Sequence, residues 1–299
     1  MTARDDKQPP IQRILIAIDA SPPSIAALEA AAALAARINA ELLGVFIEDV
    51  NLLRLASLPF ATEVGVLLPH VRPLGAVEME RHLRAQRARA EEALERVAQR
   101  LQLRWSFRVT RGQIVTELLT AALDADLIAL GAMSSQMIRR TWLGSTVQAI
   151  MARTARPLLI TPRGATLCAP IAVVYNGSPG SVHALALAQY VCEQLGDGEL
   201  VVLLIADDAE QEEGLRRSAT AKLESSGTSA RYRWLVEPGA NELARALRAE
   251  GVGTLVFATD VRELDAASAR QLLERMDLAL LLVGVTGEVS LPAADEKKE

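Results

Sequence analysis

The chain has 299 residues and a net charge of −5; 50% of it is apolar, yet only 3% is aromatic. Small aliphatic residues must carry the core, which suits helices packed on a buried sheet better than an all-β sandwich. The acidic balance gives no basic field for nucleic acid, and no apolar run is long enough to cross a membrane. Cys168 and Cys192 form no disulfide framework and no CxxC spacing, and Met1–Asp6 is polar and acidic rather than signal-like. A soluble, cytoplasmic protein is expected.

The first ten residues and Ala293–Glu299 are polar and expected to be mobile. Arg13–Asp19 is a short apolar run ending in an acid, the pattern of a parallel strand covered on both faces. Ala20-Ser21-Pro22-Pro23 starts a helix, with Ser21 as cap and proline in the first turn. Ile25, Leu28, Ala32, Ala35 and Ile38 continue it at helical spacing. Glu41–Ile47 is a second strand.

Val50–Gly75 holds three prolines and two glycines among apolar residues, a long connection of the kind that carries function. Its leucines either pack internally, cover a ligand or meet a partner. Glu78–Leu101 is an amphipathic helix with Met79, Leu83, Ala90, Leu94, Val97 and Leu101 on one stripe. A strand at Trp105–Val109, a helix at Ile114–Leu123, a strand at Leu127–Leu130, a helix from Ser145 and a strand at Leu158–Thr161 follow.

The pattern then repeats. Strands are expected at Pro170–Tyr175, Leu200–Ala206, Arg231–Val236, Thr254–Phe257 and Leu280–Val283. Helices are expected after Ser178, at Glu210–Glu224, at Asn241–Ala249 and at Ala267–Arg275. Arg111–Leu118 parallels Glu237–Leu243, and Asp126–Leu130 parallels Thr254–Ala258. The chain therefore reads as two tandem α/β units, 1–165 and 166–299, each with a mostly parallel five-stranded sheet flanked by helices. Each unit is expected to keep its own sheet, with the two related by a pseudo-two-fold through Leu158–Thr161 and Leu280–Val283.

In open α/β sheets ligands lie beyond the carboxyl ends of the strands, where the strand order reverses. Asp19-Ala20-Ser21 and Gly131–Thr146 can converge there in the first unit. Gly144-Ser145-Thr146 at a helix start offers N–H groups, hydroxyls and the positive end of the helix dipole to a phosphate. Arg139 and Arg140 add charge. From these features alone, a phosphate cradle and a plain glycine turn followed by a serine cap both stand.

The sequence resembles a tandem universal stress protein over nearly its whole length. Nucleotide-binding members of that family carry Gly-x2-Gly-x9-Gly-Ser/Thr, and Gly131, Ser134, Gly144 and Ser145 occupy those places with the same spacing. Ser134 departs from the pattern, where glycine is usual. The resemblance implies a Rossmann-like fold of the adenine nucleotide alpha hydrolase type and an ATP-type ligand. The base would lie near the ends of strands one and two, at Asp19, Ala20, Ser21 and Phe46. The phosphates would run along Gly131, Ser134, Gly144, Ser145 and Thr146. It further implies a pseudo-dimer within the chain, leaving room for a homodimer and for an unidentified protein partner.

In the second unit Asn176 replaces the acid, and no Gly-x9-Gly-Ser follows Thr259. The interval Gly131–Pro157 spans 26 positions, and Thr259–Ala279 only 20. Asp260 and Glu263 would repel phosphate. This unit is expected to be structural. Magnesium could meet a phosphate at Glu48-Asp49, against the plainer reading of a solvated strand end. His70, His82 and His183 show no metal spacing, and no Walker or GxSxG motif is present. With no general base aimed at a phosphate, no enzyme is expected. A non-nucleotide interaction module and an adenine-nucleotide hydrolase are the competing readings.

Overall fold

The structure is a computed structural model describing residues 11–58, 62–64, 71–73, 75–132, 145–162, 165–196, 199–224, 228–236, 238–261, 271–272 and 275–284. The first unit runs β1 (Arg13–Ala17), α1 (Pro22–Ile38), β2 (Glu41–Asp49), α2 (Val50–Ala56), β3 (Thr62–Val64), β4 (Val71–Pro73), α3 (Ala76–Arg100), β5 (Trp105–Gly112), α4 (Ile114–Ala121), β6 (Leu127–Gly131), α5 (Ser145–Met151) and β7 (Leu158–Thr161). The second runs β8 (Ile171–Tyr175), α6 (Pro179–Leu195), β9 (Leu200–Ile205), α7 (Ala209–Glu224), β10 (Ala230–Leu235), α8 (Ala240–Ala249), β11 (Thr254–Ala258) and β12 (Ala279–Val283).

Continuous apolar runs build the sheet. Every residue of β8, β9, β11 and β12 is buried, as strands covered on both faces must be. Fully burying a leucine or valine is worth about 1.5–3 kcal/mol. β5 and β10 are the outer edges, and their residues are mostly half-buried. Arginines flank both edges, which blunts pairing with other chains. On α3, Leu83, Ala90, Leu94 and Val97 are buried as the helical stripe predicts. Gly44 lets that stripe close on β2, since a Cβ there would collide with Leu94.

The strand order is β10-β9-β8-β11-β12-β7-β6-β1-β2-β5, so each unit repeats one order around its first strand. All neighbours are parallel except β12 and β7, which pair antiparallel at Leu280–Ile160, Leu281–Leu159 and Leu282–Leu158. The expected meeting of Leu158–Thr161 with Leu280–Val283 is present, but it is edge-to-edge hydrogen bonding. Two separate sheets are therefore corrected to one ten-stranded sheet. Equivalent strands paired antiparallel define a local two-fold perpendicular to the sheet, passing at Leu159 and Leu281. That operation places α1 and α6 on the same face, where they touch. Arg37 Nη1 donates to Leu195 O at 3.1 Å across this contact.

Two further expectations change. Val50–Gly75 is not a bare connection, since Asp49 caps α2 by accepting from Asn51 N at 2.9 Å, and β3 and β4 form a small antiparallel pair. The repeat register also shifts. Ile14 pairs with Leu127, and its counterpart Ile171 with Thr254, so Thr254 matches Leu127 rather than Asp126. The step from Ala129 to its partner Leu159 is 30 positions, against 25 from Val256 to Leu281. The second unit is five residues shorter there, not six. The expected helix over 267–275 lies mostly outside the described residues.

Candidate functional site

At the end of β1 the chain must leave the sheet and enter α1. Ser21 N–H donates to Asp19 Oδ1 at 2.9 Å, closing an Asx turn. Ser21 Oγ then caps the helix by accepting from Ser24 N at 3.4 Å, while Ser24 Oγ donates to Ser21 O at 3.1 Å. Such a cap is worth about 1 kcal/mol. Ala20 takes a φ of 60°, the left-handed region that costs an L side chain about 1–2 kcal/mol.

Helices α1 and α3 touch each other, and α4 touches α5. α1 leads toward β2 while α5 leads toward β7 on the other side, so β1 and β6 flank a switch point. A cavity of about 220 Å³ opens there. It is lined by Ala17, Ile18, Asp19, Ser21, Pro23, Ser24, Val45, Ile47, Ile114, Leu130, Gly131, Thr146 and Val147. Its walls are mostly aliphatic, and its side-chain polar groups are Asp19, Ser21, Ser24 and Thr146. Asp19 is exposed, which places its carboxyl group at the rim.

Four of the residues expected at the site therefore converge: Asp19, Ser21, Gly131 and Thr146. Phe46 does not line the cavity and is buried at 2% exposure. Its neighbours Val45 and Ile47 line it instead, because successive residues of a strand face opposite ways. Ala20 shapes the turn without lining the space. Ser134 and Gly144 lie outside the described residues, as do Arg139 and Arg140; Ser145 begins α5. Ile114, at the start of α4, carried no sequence signal beyond its repeat match.

Gly131 proves tighter than expected. A Cβ at this position would run into the Pro23 carbonyl. Its lack of a side chain serves the packing of β6 on the first turn of α1 as well as the cavity wall.

The acids proposed for magnesium are engaged elsewhere. Glu48 is 8% exposed and pairs with Arg111 Nη2 at 2.7 Å, while Asp49 is the cap of α2. No group of three or more His, Cys, Asp or Glu side chains is placed to hold a metal among the described residues.

The second unit repeats the turn. Ser178 N donates to Asn176 Oδ1 at 3.1 Å, Ser178 Oγ accepts from Ser181 N at 3.1 Å, and Ser181 Oγ donates to Ser178 O at 2.8 Å. Gly177 has a φ of 80° where Ala20 stands in the first unit. Beyond the turn the two diverge. Gly180 replaces Pro23, and its N–H donates to Asp260 Oδ2 at 3.1 Å. Among the described residues Asp260 Oδ1 is buried without a partner, and a Cβ on Gly180 would collide with this carboxyl group. The chain's own carboxyl group thus sits on the first turn of α6.

The model of the universal stress protein family matches residues 10–162. Among solved structures, a universal stress protein from Archaeoglobus fulgidus DSM 4304 is similar at 14% identity and a TM-score of 0.73, covering 93% of this chain and 99% of that one. A functionally unknown protein from Pseudomonas aeruginosa PAO1 is similar at 12% identity and a TM-score of 0.56, covering 92% of each chain. No curated protein matches the sequence. The likeness in fold thus extends across both units.

Proposed function

The chain belongs to the universal stress protein family, and from that premise we propose that its first unit binds ATP or a related adenine nucleotide while its second unit is structural. The observation that carries this reading is the convergence of Asp19, Ser21, Gly131 and Thr146 around one apolar cavity at the switch point. At about 220 Å³ the cavity is smaller than the roughly 300–1,000 Å³ of a full ligand pocket. It suits a flat base and part of its sugar, with the phosphates directed along Gly131 to Thr146. Asp19 would face the base and ribose side, since a carboxylate at the rim repels phosphate. Gly144, Ser145 and Thr146 would meet the phosphates with N–H and hydroxyl groups. Magnesium would arrive with the phosphates rather than on Glu48 or Asp49, which are already committed. The role is binding and not turnover, a reading supported by the described lining residues, among which only Asp19 could act as a base and Asp19 is held in its turn.

Calorimetric titration of the full chain with ATP tests this. One site per chain is expected. Gly144→Val should weaken binding at least tenfold, the loss of one or more charge-assisted hydrogen bonds at about 1.5–3 kcal/mol each. Two equivalent sites, or normal binding by the Gly144 variant, would show that Gly131–Thr146 is only a connection.

A second reading has its own observation. On α2, Leu52 and Leu55 are 41% and 50% exposed, and Leu58 just beyond is 40% exposed. They do not line the cavity as the described residues form it. An interaction module acting through α2 would bind its partner with no nucleotide present, and pull-down by the wild type but not by Leu52→Ser/Leu55→Ser separates it from the first reading.

A further inference from the structure

The cavity belongs to the first unit, yet one of its walls ends against the second. Thr146 and Val147, in the first turn of α5, line it. The helix continues through Ile150, which has no solvent exposure, and closes with Ala152 N donating to Gln148 O at 3.1 Å and Thr154 N to Ile150 O at 2.9 Å. Packing against α4 restrains it sideways. From Thr146 to Met151 the helix rises about 7.5 Å at 1.5 Å per residue, and a turn carries the chain on to Thr154. At that far end lies Gly284, the residue after β12 of the second unit. A Cβ on Gly284 would be 2.6 Å from Thr154 O and 3.1 Å from Ala155 Cα. The backbone of the second unit therefore rests directly on the turn that closes the helix whose beginning forms the proposed ligand wall. A second connection runs alongside: Ala132 N, just beyond cavity-lining Gly131, donates to Thr161 O at 2.9 Å, and β7 pairs with β12.

Resting on the nucleotide reading above, we propose that α5 transmits occupancy of the first unit's cavity to Gly284, where the chain leaves β12 for residues 285–299. A ligand that fixes Thr146 and Val147 fixes a short, laterally packed rod. Beyond its other end, Gly284 brings no side chain of its own against Thr154 and Ala155. The asymmetry of the chain thus acquires a use: one unit binds and the other reports.

Amide hydrogen exchange of the full chain with and without saturating ATP tests the coupling, since it reads local opening at both ends. Slowing of at least twofold is expected both in residues 145–151 and in residues 279–284. By linkage, a contact that differs between free and loaded forms alters affinity when it is changed. Gly284→Ala should therefore shift ATP affinity at least threefold. Gly214→Ala should leave it unchanged, since a Cβ at that position of α7 meets nothing within 4 Å. Protection confined to residues 1–162, with a folded Gly284→Ala binding ATP as the wild type does, overturns the coupling and leaves nucleotide binding standing. Absence of protection around the cavity overturns both. Should Gly284→Ala fail to fold, the exchange pattern of the wild type decides alone.

Discussion

The two units share a strand order and an Asx-turn-plus-serine cap, yet they treat the space above their first strand in opposite ways. In the first, Pro23 and Gly131 meet across the switch point and leave a cavity. In the second, the matching residues are Gly180 and Ala258, and the carboxylate of Asp260 fills the approach to the helix. Proline lacks an N–H, so the first turn of α1 offers no donor at Pro23; glycine supplies one, and the chain satisfies it internally. The lesson is that the scaffold duplicates robustly while the ligand space depends on a few residues at strand ends. Secondary structure rests on long buried runs, and the site rests on single side chains.

The largest expected effect tests what the units share. Leu159 and Leu281 face each other at the dyad with no solvent exposure. Leu159→Ala should cost about 2–4 kcal/mol in urea denaturation, with Leu281→Ala similar. The double variant should fall short of the sum, because both open one cavity. Strict additivity would mean that the two leucines do not share a packing site.

Next comes the feature unique to the first unit. Gly131→Val drives a side chain into the Pro23 carbonyl, and overpacking of this kind costs about 1–3 kcal/mol. It should also abolish ATP binding while leaving a cooperative transition. Ala258→Val is the control, and a similar loss there would show that the first cavity is not specially tight.

A smaller effect is expected from the carboxyl group inside the second unit. Asp260→Ala removes the acceptor of the Gly180 N–H, but also an oxygen buried without a partner. The two partly offset, so destabilisation should be about 1 kcal/mol by thermal or urea unfolding. ATP affinity should be unchanged. Weaker ATP binding in this variant would show that the second unit takes part in the site after all.

Much of this was legible from the sequence. Apolar runs located all ten strands of the large sheet to within a residue or two, except for an extended β5, because a strand covered on both faces leaves no other pattern. The same uniformity hid which face each residue takes. β2 is buried from Leu42 to Phe46 without a break, so nothing in its sequence distinguished Phe46 from Val45 and Ile47. It also hid the register, since Leu127–Leu130 and Thr254–Phe257 slide by one residue with little change in hydrophobicity. The short α2 was masked by the prolines beyond it. Ser21 and Asp19 were readable because capping is local chemistry. Asp260 was recognised as hostile to phosphate, but its contact with Gly180 spans 80 residues and leaves no local trace.

The smallest effect lies at the opposite end of the sheet. Glu41 accepts from Arg13 Nη2 at 2.8 Å and Nε at 3.1 Å, and from Ser106 Oγ at 2.8 Å. Its partial burial raises the pKa, but the hydrogen bonds from Arg13 and Ser106 and the charges of Arg13 and Arg104 outweigh this and hold it below 4.5. In the second unit Pro170 stands at the place of Arg13, and Glu199 instead pairs with Arg231 on the edge strand at 2.9 Å. Because the folded pKa of Glu41 is depressed, the unfolded chain takes up the proton first as pH falls. The contribution is therefore complete above the ordinary value, and it is lost as pH drops through 4.5 toward the folded pKa. Glu41→Gln should cost a few tenths to about 1 kcal/mol near neutral pH. Its stability curve should approach that of the wild type as pH falls below 4.5. Glu199→Gln, removing a half-exposed pair, should cost no more than a few tenths. Urea denaturation at several pH values between about 7 and 3 measures both, and a Glu41→Gln curve that stays parallel to the wild type throughout would remove Glu41 as a source of acid sensitivity.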